Sequence, residues 1–335
     1  MAEFMTNAEV VDYLGLPQSI ISDLQTQQGN QFQATANQFL SALVNKICYQ
    51  KVDKFGWVNP FKKFDSFPVN YGDTIENIFV ELPKGYTYDK NATDPFAIKV
   101  NDVKTLYATI NYEMQYCATI YDALLRRACL NEYGFSNLVT SILGSLTDGK
   151  NIDEYFAEIS LLNNINLYPD NGTSGFKELD VSGLATSQEK AHDITAKIVD
   201  LVSSFAIPST KHNKLGLMQV SNRDDILLII RRDLYNMINL DYLTGVFNLS
   251  KVDLISRIMV VESFKVKDSD GTEHGEDLGF IVLDTRCFDN HIALEDGGLI
   301  YNPKNKSTNH FMNLWKIMSF KYFFNAEAYK VKLTV

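Results

Sequence analysis

Two alternating runs in the first third of the chain constrain its fold more than any other feature. In "FPVNYGDTIENIFVELPKGYTYD", residues 67 to 89, Ile78, Val80 and Leu82 alternate with Phe79 and Glu81, the period of two that marks an extended segment. A return run follows, in which Phe96, Ile98 and Val100 alternate with Ala97, Lys99 and Asn101. The tip between them, Pro83 to Pro95, is long and polar and has no Asn-Gly or Asp-Gly pair to close a tight turn. A hairpin of two strands is marginal in water by itself, so these strands must lean on something further.

A chain of 335 residues accommodates one large or two modest domains with a substantial core. Its apolar content of 45% and charged content of 21% are those of an ordinary globular protein. Aromatic residues are plentiful at 12%, which suits extensive contact surface. No apolar run approaches the ~18 residues that span a bilayer. The opening "MAEFMTNAEVVDYLGLP" lacks the basic-then-apolar order of a secretory signal.

A net charge of −10 argues against tight wrapping of nucleic acid, because binding phosphates requires many cationic contacts. Local basic spots, Lys51, Lys54, Lys62 and Lys63, then Arg126-Arg127 and Arg231-Arg232, read as solvated or salt-bridged faces. Cys48, Cys117, Cys129 and Cys287 are scattered without CxxC spacing and read as buried reduced thiols. Synthesis in a cytoplasm follows, so the Asn-x-Ser/Thr matches at Asn91, Asn171, Asn248 and Asn305 carry no weight.

Along the chain, residues 1 to 58 read as short helices, with a helical candidate at Gln33 to Val44. The extended region runs from Asn59 to about Tyr112 and ends with Leu106, Ala108, Ile110 and Tyr112 on one face. The most helical region follows. Ile120 and Leu124 fit a 3.6-residue period with a break at Gly134, and the stripe Leu138, Val139, Ile142, Leu143 and Leu146 ends at Asp148-Gly149. Asn151 and Glu154 then form a capping pair for a third segment, whose apolar face is Phe156, Ile159 and Leu162.

Residues 166 to 184 are rich in loop formers, and Thr186 with Glu189 opens a helix through Ile194, Ile198, Leu201 and Phe205 that Pro208 closes. "ILLII", 226 to 230, is a continuous apolar run, as in a strand covered on both faces. Asp233 begins a helix with Leu234, Ile238 and Leu243. "RIMVVESF" and "LGFIVLDTRCF" read as strands around a polar loop, and the last 45 or so residues mix strands with aromatics. Helices and strands interleave without steady βαβ alternation, so the fold class is α+β.

Catalytic signatures are weak. "GSLTDGKN", Gly144 to Asn151, has G-x-x-x-x-G-K spacing, but Asn151 stands where a Mg²⁺-binding Ser or Thr belongs. A helix precedes it, where a phosphate loop must leave a strand, so the stretch reads as a break between helices. A nucleotide-hydrolysing enzyme built on Gly144 to Asn151 is the alternative from a different class. "DSDGTEHGE", Asp268 to Glu276, opens like a calcium loop but lacks the first acidic ligand and the far bidentate Glu, and reads as a hairpin loop. His192, His212, His274, His291 and His310 have no metal-binding spacing, and no G-x-S-x-G elbow marks a nucleophile. No catalytic, cofactor or metal site is assigned, and the expectation is not an enzyme.

Taken in order, several segments resemble the major head protein of small tailed phages of the phi-29 type, a podovirus family within the Hong Kong 97 capsid-fold superfamily. "NPFKKFDSFPVNYGDTIENIFVEL" with "VNDVKTLYATINYEMQYCATIYDALL" resembles its extension loop and the start of its peripheral domain. "FSNLVTSILGSLTDGKNIDEYFAEISLLNN" resembles the long spine helix, "ILLIIRRDLYNMINLDYLTGVFNLSKVDLISRIMVVESF" the axial domain, and "LWKIMSFKYFFNAEAY" the closing strands of the peripheral domain. The resemblance spans about residues 30 to 335 and lies in the order of the segments rather than in any one motif.

The resemblance implies an N-terminal arm with short helices at 1–58, an extension loop at 59–112, a peripheral domain with the spine helix at 113–167, an axial domain at 168–284 and closing peripheral strands at 285–335. It implies a virion protein, made in the host bacterial cytoplasm, that self-assembles as hexamers and pentamers of an icosahedral head around double-stranded DNA. DNA is met by non-specific proximity, no membrane is involved, and a separate scaffolding protein and a portal are the expected partners. A phage-derived encapsulating compartment is the runner-up. The chain stops at Val335 without the immunoglobulin-like domain of some relatives. No Lys–Asn pair for covalent cross-linking can be placed. On this reading the hairpin lies across a neighbouring subunit, burying on the order of 2,000 Å² or more per pair. Lys62, Lys63, Asp73, Glu76, Ile78, Val80, Phe96 and Ile98 are the candidate contact residues at that seam.

Overall fold

A computed structural model describes residues 6–27, 31–32, 34–39, 42, 57–83, 85, 87, 100–121, 134–169, 176–238, 257–267 and 270–333, with backbone alone at 134–140 and 143. In chain order its labelled elements are α1 (Asn7–Leu14), α2 (Ser19–Thr26), β1 (Ile75–Val80), β2 (Val103–Ala108), β3 (Tyr112–Tyr121), α3 (Gly134–Leu162) and β4 (Lys177–Asp180). There follow α4 (Ser187–Phe205), β5 (Ile226–Arg231), α5 (Arg232–Met237), β6 (Ile258–Val261), β7 (Val266–Lys267), β8 (Glu273–His274) and β9 (Phe280–Asp284). The long strands β10 (Phe288–Asn302) and β11 (Ser307–Phe320) and the final β12 (Ala326–Lys332) complete the chain. Helix and sheet are mixed as the composition and patterning predict.

Two compact units emerge. The larger comprises residues 60–111, 155–293 and 316–335. Its centre is a five-stranded sheet in the order β4-β12-β9-β5-β6, with β5 antiparallel to β9 and parallel to β6. The continuous apolar run "ILLII" is β5, and it is buried on both faces as its sequence predicts. Because side chains alternate, Ile226, Leu228 and Ile230 face α4 through Ile194, Ile198, Leu201 and Phe205. Leu227 and Ile229 face the other way, into a cluster with Ile159, Leu162, Tyr168, Phe288 and Phe320. The start of α4 is a capping box: Thr186 accepts from the Glu189 amide while Glu189 accepts from the Thr186 amide. The polar stretch around Asp270 is the connection of the small β7–β8 hairpin, where the Asp270 carboxylate accepts from the Thr272 amide at 3.0 Å. No group of residues suited to hold a metal ion occurs there or elsewhere among the described residues.

The smaller unit comprises residues 1–59, 112–154 and 294–315. Helices α1 and α2 bury Val10, Val11, Leu14, Ile20 and Leu24 against Phe32, Phe39 and Ile120. Thr6 and Glu9 cap α1 reciprocally, and Gly15 ends it at φ 68°, a left-handed conformation that glycine adopts without a Cβ penalty. The sheet here has the order β10-β11-β3. Its exposed polar side chains form a ladder: Gln115 Nε2 donates to Asn313 Oδ1 at 2.8 Å, and Asn313 Nδ2 donates to Asp296 Oδ1 at 2.9 Å. Thr119 adds a bond to Asn309 at 2.8 Å.

Four expectations are corrected, the last being the burial of Cys117. Residues 112–121 are strand, not the start of a helix: Tyr116, Ala118 and Ile120 turn inward with period two, and the Ile120–Leu124 spacing that suggested a helix runs out of the described residues. The helical stripe does not end at Asp148-Gly149, since α3 runs unbroken from Gly134 to Leu162. A mid-helix glycine costs about 1 kcal/mol, which packing along a helix of this length outweighs. Asn151 and Glu154 are accordingly interior helix residues, both buried, and not a cap. Of the cysteines, Cys287 is buried and Cys117 is exposed, both free, while Cys48 and Cys129 lie outside the described residues.

Candidate assembly surface

The opening strand is β1, and its partner among the described residues is β2, while residues 96–99 of the return run lie outside them. Ile75 stands opposite Ala108 and Val80 opposite Val103 in an antiparallel pair. The Glu81 amide extends the pairing by donating to the Asp102 carbonyl at 2.9 Å. No turn signal pinned the register, and a long polar tip leaves the choice of return strand to the packing of its two faces. Phe96 and Ile98 lie outside the described residues.

One face of this hairpin rests on its own unit. Phe79 packs on Phe323 with ring centroids 5.8 Å apart, and Asn77 Nδ2 donates to Asp289 Oδ2 at 2.6 Å. Asp289 also accepts from Lys321 at 3.1 Å, and His291, 3.2 Å from it, donates through Nδ1 to the Phe67 carbonyl. Burial alone would raise the Asp289 pKa, yet the bonds from Asn77, Lys321 and His291 hold it below the ordinary carboxylate value. The segment before β1 is tied down similarly, since Ser66 and Val69 donate backbone bonds to Asn290 and Ile292. A buried ion pair, Lys316 to Asp65 at 2.6 Å, holds the same stretch.

The other face is exposed, with no cover among the described residues. Ile78 is 60% exposed, Val80 52% and Tyr107 62%, and Leu82, Val100 and Val103 are exposed beside them. Val80 opposite Val103 and Ile78 opposite Thr105 make a continuous apolar strip on the pleat. Full burial of such side chains is worth about 1.5–3 kcal/mol each, so covering these half-exposed ones yields on the order of 1 kcal/mol apiece.

Of the charged candidates, Asp73 and Glu76 are already engaged within the hairpin region. Asp73 closes its own turn by accepting from the Asn70 amide at 3.1 Å. Glu76 accepts from the Tyr107 hydroxyl at 2.8 Å, and that bond to the Glu76 carboxylate raises the Tyr107 pKa. Lys62 and Lys63 sit in the 3-10 turn Pro60–Phe64, with Lys63 Nζ 4.9 Å over the Phe64 ring. The hairpin thus gathers Ile78, Val80 and Glu76 on one surface, while Asp73 lies in the turn before β1 and Lys62 and Lys63 lie in the Pro60–Phe64 turn. Val103 and Tyr107 belong to the bare face although sequence reasoning singled out only Leu106 and Ala108 in that strand. The same alternation, read for its odd positions, carried the signal.

The Gly144–Asn151 stretch has no phosphate-loop geometry. It lies inside α3, where backbone amides are spent on the helix ladder, and Lys150 is buried in an ion pair with Glu295 at 2.5 Å. Among the described residues, no helix is long and apolar enough to cross a membrane.

A fold of this kind is shared with phage capsid chains. The structure aligns with one from the capsid of Staphylococcus phage Andhra at a TM-score of 0.63 and 12% identity, covering 82% of this chain and 84% of that one. A chain from a structure of the head fiber and inner core protein of native bacteriophage P68 aligns at 0.59 and 14% identity, covering 82% and 84%. In sequence, the major capsid protein of Streptococcus phage Cp-1 is 27% identical over 90% of this chain and 84% of its own length. That of Bacillus phage B103 is 26% identical over 89% of this chain but only 64% of its own length. The family model described as Phi29-like phage major capsid protein matches residues 18–330, and the chain belongs to that family. It is a major capsid protein of a tailed phage and so a component of the virion, and the family is one of structural proteins.

Proposed function

We propose that this chain builds an icosahedral head around double-stranded DNA, with the β1–β2 hairpin as an extension loop that lies across a neighbouring copy. The observation that carries this reading is the bare apolar strip of Ile78, Val80, Val103 and Tyr107 on a hairpin whose opposite face is anchored. A strand pair anchored on one side and bare on the other is suited to association rather than to catalysis. Each subunit of a closed shell repeats its contacts, so individually modest interactions sum.

The domain reading follows the Hong Kong 97 pattern: an arm with short helices at 1–58, the extension loop at 59–112, a peripheral domain at 113–167 with α3 as its spine, an axial domain at 168–284 and closing strands at 285–335. Hexamers and pentamers are the units of the shell. A separate scaffolding protein guides assembly, a portal occupies one vertex, and DNA is enclosed by non-specific proximity. The acidic balance supports that last point, since a wall that gripped phosphates would resist packaging. No enzymatic role is assigned: the Gly144–Asn151 stretch is helix interior with its lysine paired.

Deletion of Pro83 to Pro95 tests the role of the hairpin. The deleted protein should fold as a monomer and form no particles by light scattering and negative-stain microscopy. Normal shells from it would show that the loop is not an assembly element.

A further inference from the structure

Within the larger unit, the turn Pro60–Phe64 and the sheet end at Ile226–Leu227 border a surface cleft of about 530 Å³. Its floor is aromatic: Phe64 stacks on Phe288 with centroids 4.3 Å apart and planes 10° from parallel. Its walls carry three cations, Lys63, Arg257 and Arg286, and two carboxylates, Asp65 and Asp224.

The charges in those walls are matched, with one exception. Arg257 is paired with Asp224 at 2.9 Å and donates to the Arg223 carbonyl. Arg286 is paired with Asp284 at 2.7 Å, donates to the Val220 carbonyl and lies over the Phe324 ring. Asp65 is taken by Lys316 at 2.6 Å. Lys63 has no carboxylate in ion-pair reach among the described residues and rests only against the Phe64 ring, 4.9 Å from its centroid. Partial desolvation pushes its pKa down, as expected of an ammonium held at an aromatic wall without a counter-ion. A cation placed so is stabilised by an incoming anion more than a freely hydrated one is.

We infer that this cleft is a socket for an acidic side chain of a second copy of the chain, with Lys63 Nζ as the pairing cation and the Phe64–Phe288 platform as the apolar floor beneath it. The inference rests on the self-assembly reading above and adds to it a site and a ligand chemistry. A polyanion backbone would need a row of unpaired cations, whereas one unmatched ammonium, with the neighbouring Asp65 and Asp224 already paired to Lys316 and Arg257, suits a single carboxylate. Copies of this chain are the ready source, since each carries an excess of ten negative charges and the chain belongs to a family of major capsid proteins.

The test is carbodiimide coupling, which joins an amine to a carboxylate with no spacer, on particles assembled from an equal mixture of isotopically light and heavy protein. Mass spectrometry should find Lys63 joined to Asp or Glu peptides in mixed light–heavy pairs, and those pairs should be absent from unassembled protein. Lys63→Ala should lose them while Lys63→Arg keeps particle formation. Particles in which Lys63 couples only within its own isotope, or not at all, overturn the socket and leave the assembly reading standing. Failure of wild-type protein to form particles even when co-expressed with its scaffolding protein overturns both.

Discussion

The central sheet and the β1–β2 hairpin belong to the same unit and are written in related patterns, yet they end in opposite states. β5 buries both of its faces, one against α4 and one against the cluster around Phe288 and Phe320. The hairpin buries one face through Phe79 and Asn77 and leaves Ile78, Val80 and Tyr107 in water. Apolar residues in the first place hold the subunit together. In the second place the same residue types contribute nothing to the isolated subunit and become useful only against another surface. The difference teaches that a strand's alternation states where a face is, while the rest of the chain decides whether that face is covered.

The sharpest way to break the comparison is to exchange damage between the two places. Ile229→Ala removes fully buried methylenes from the sheet and should cost about 2–5 kcal/mol. Denaturant unfolding of unassembled protein should show this as a large fall in midpoint at unchanged slope. If Ile229→Ala proved nearly neutral, the sheet would not be the stabilising centre of its unit.

The converse change is Ile78→Asp with Val80→Asp. Unfolding of the subunit should move by less than about 1 kcal/mol, as for exposed positions generally. Particle yield by light scattering should nonetheless collapse. Retained particles would dismiss the bare strip as an interface.

Phe79→Ala lies between these cases because its ring is half-buried on Phe323. It should cost about 1–2 kcal/mol of local stability, read as faster amide exchange confined to 75–80 and 103–108. Exchange unchanged in those strands would mean that the inner face is not what holds the hairpin.

The smallest effect concerns pH. The Asp289 pKa is depressed in the folded state, so its stabilising contribution is present above the unfolded carboxylate value of about 4 and lost as pH falls through the folded value. Asp289→Asn should therefore lower the melting temperature modestly above pH 4, and the gap to wild type should close below it. A gap independent of pH would remove the charged form of Asp289 from the account.

How much of this was legible in the sequence differs by element. β5 was plain, because five apolar residues in a row flanked by charges read as a strand covered on both sides. The α4 cap was plain too, since Thr186 and Glu189 stand at capping-box spacing and the structure uses both. The α3 boundary was misread at Asp148-Gly149, where a local breaker competes with helical packing over many turns and loses. β3 was misread because Ile120 fits two templates: with Leu124 it suggests a helix, and with Ala118 and Tyr116 a strand. At the hairpin, Ile78 and Val80 were recognised as one face and are exposed together. Tyr107 was not, because its membership depends on a register that no turn residue dictates. Asp73 and Glu76 were chosen for charge alone, and their local bonds to Asn70 and Tyr107 are visible only in three dimensions.

The central claim is that the outward face of β1–β2 finds its cover on a neighbouring copy. Hydroxyl-radical footprinting of Tyr107 reads this without altering the protein, by comparing its oxidation rate in unassembled subunits and in closed particles. The account predicts rapid modification in the free subunit and marked protection in the particle. Equal rates in the two states would mean that the strip stays in water after assembly, and would contradict it.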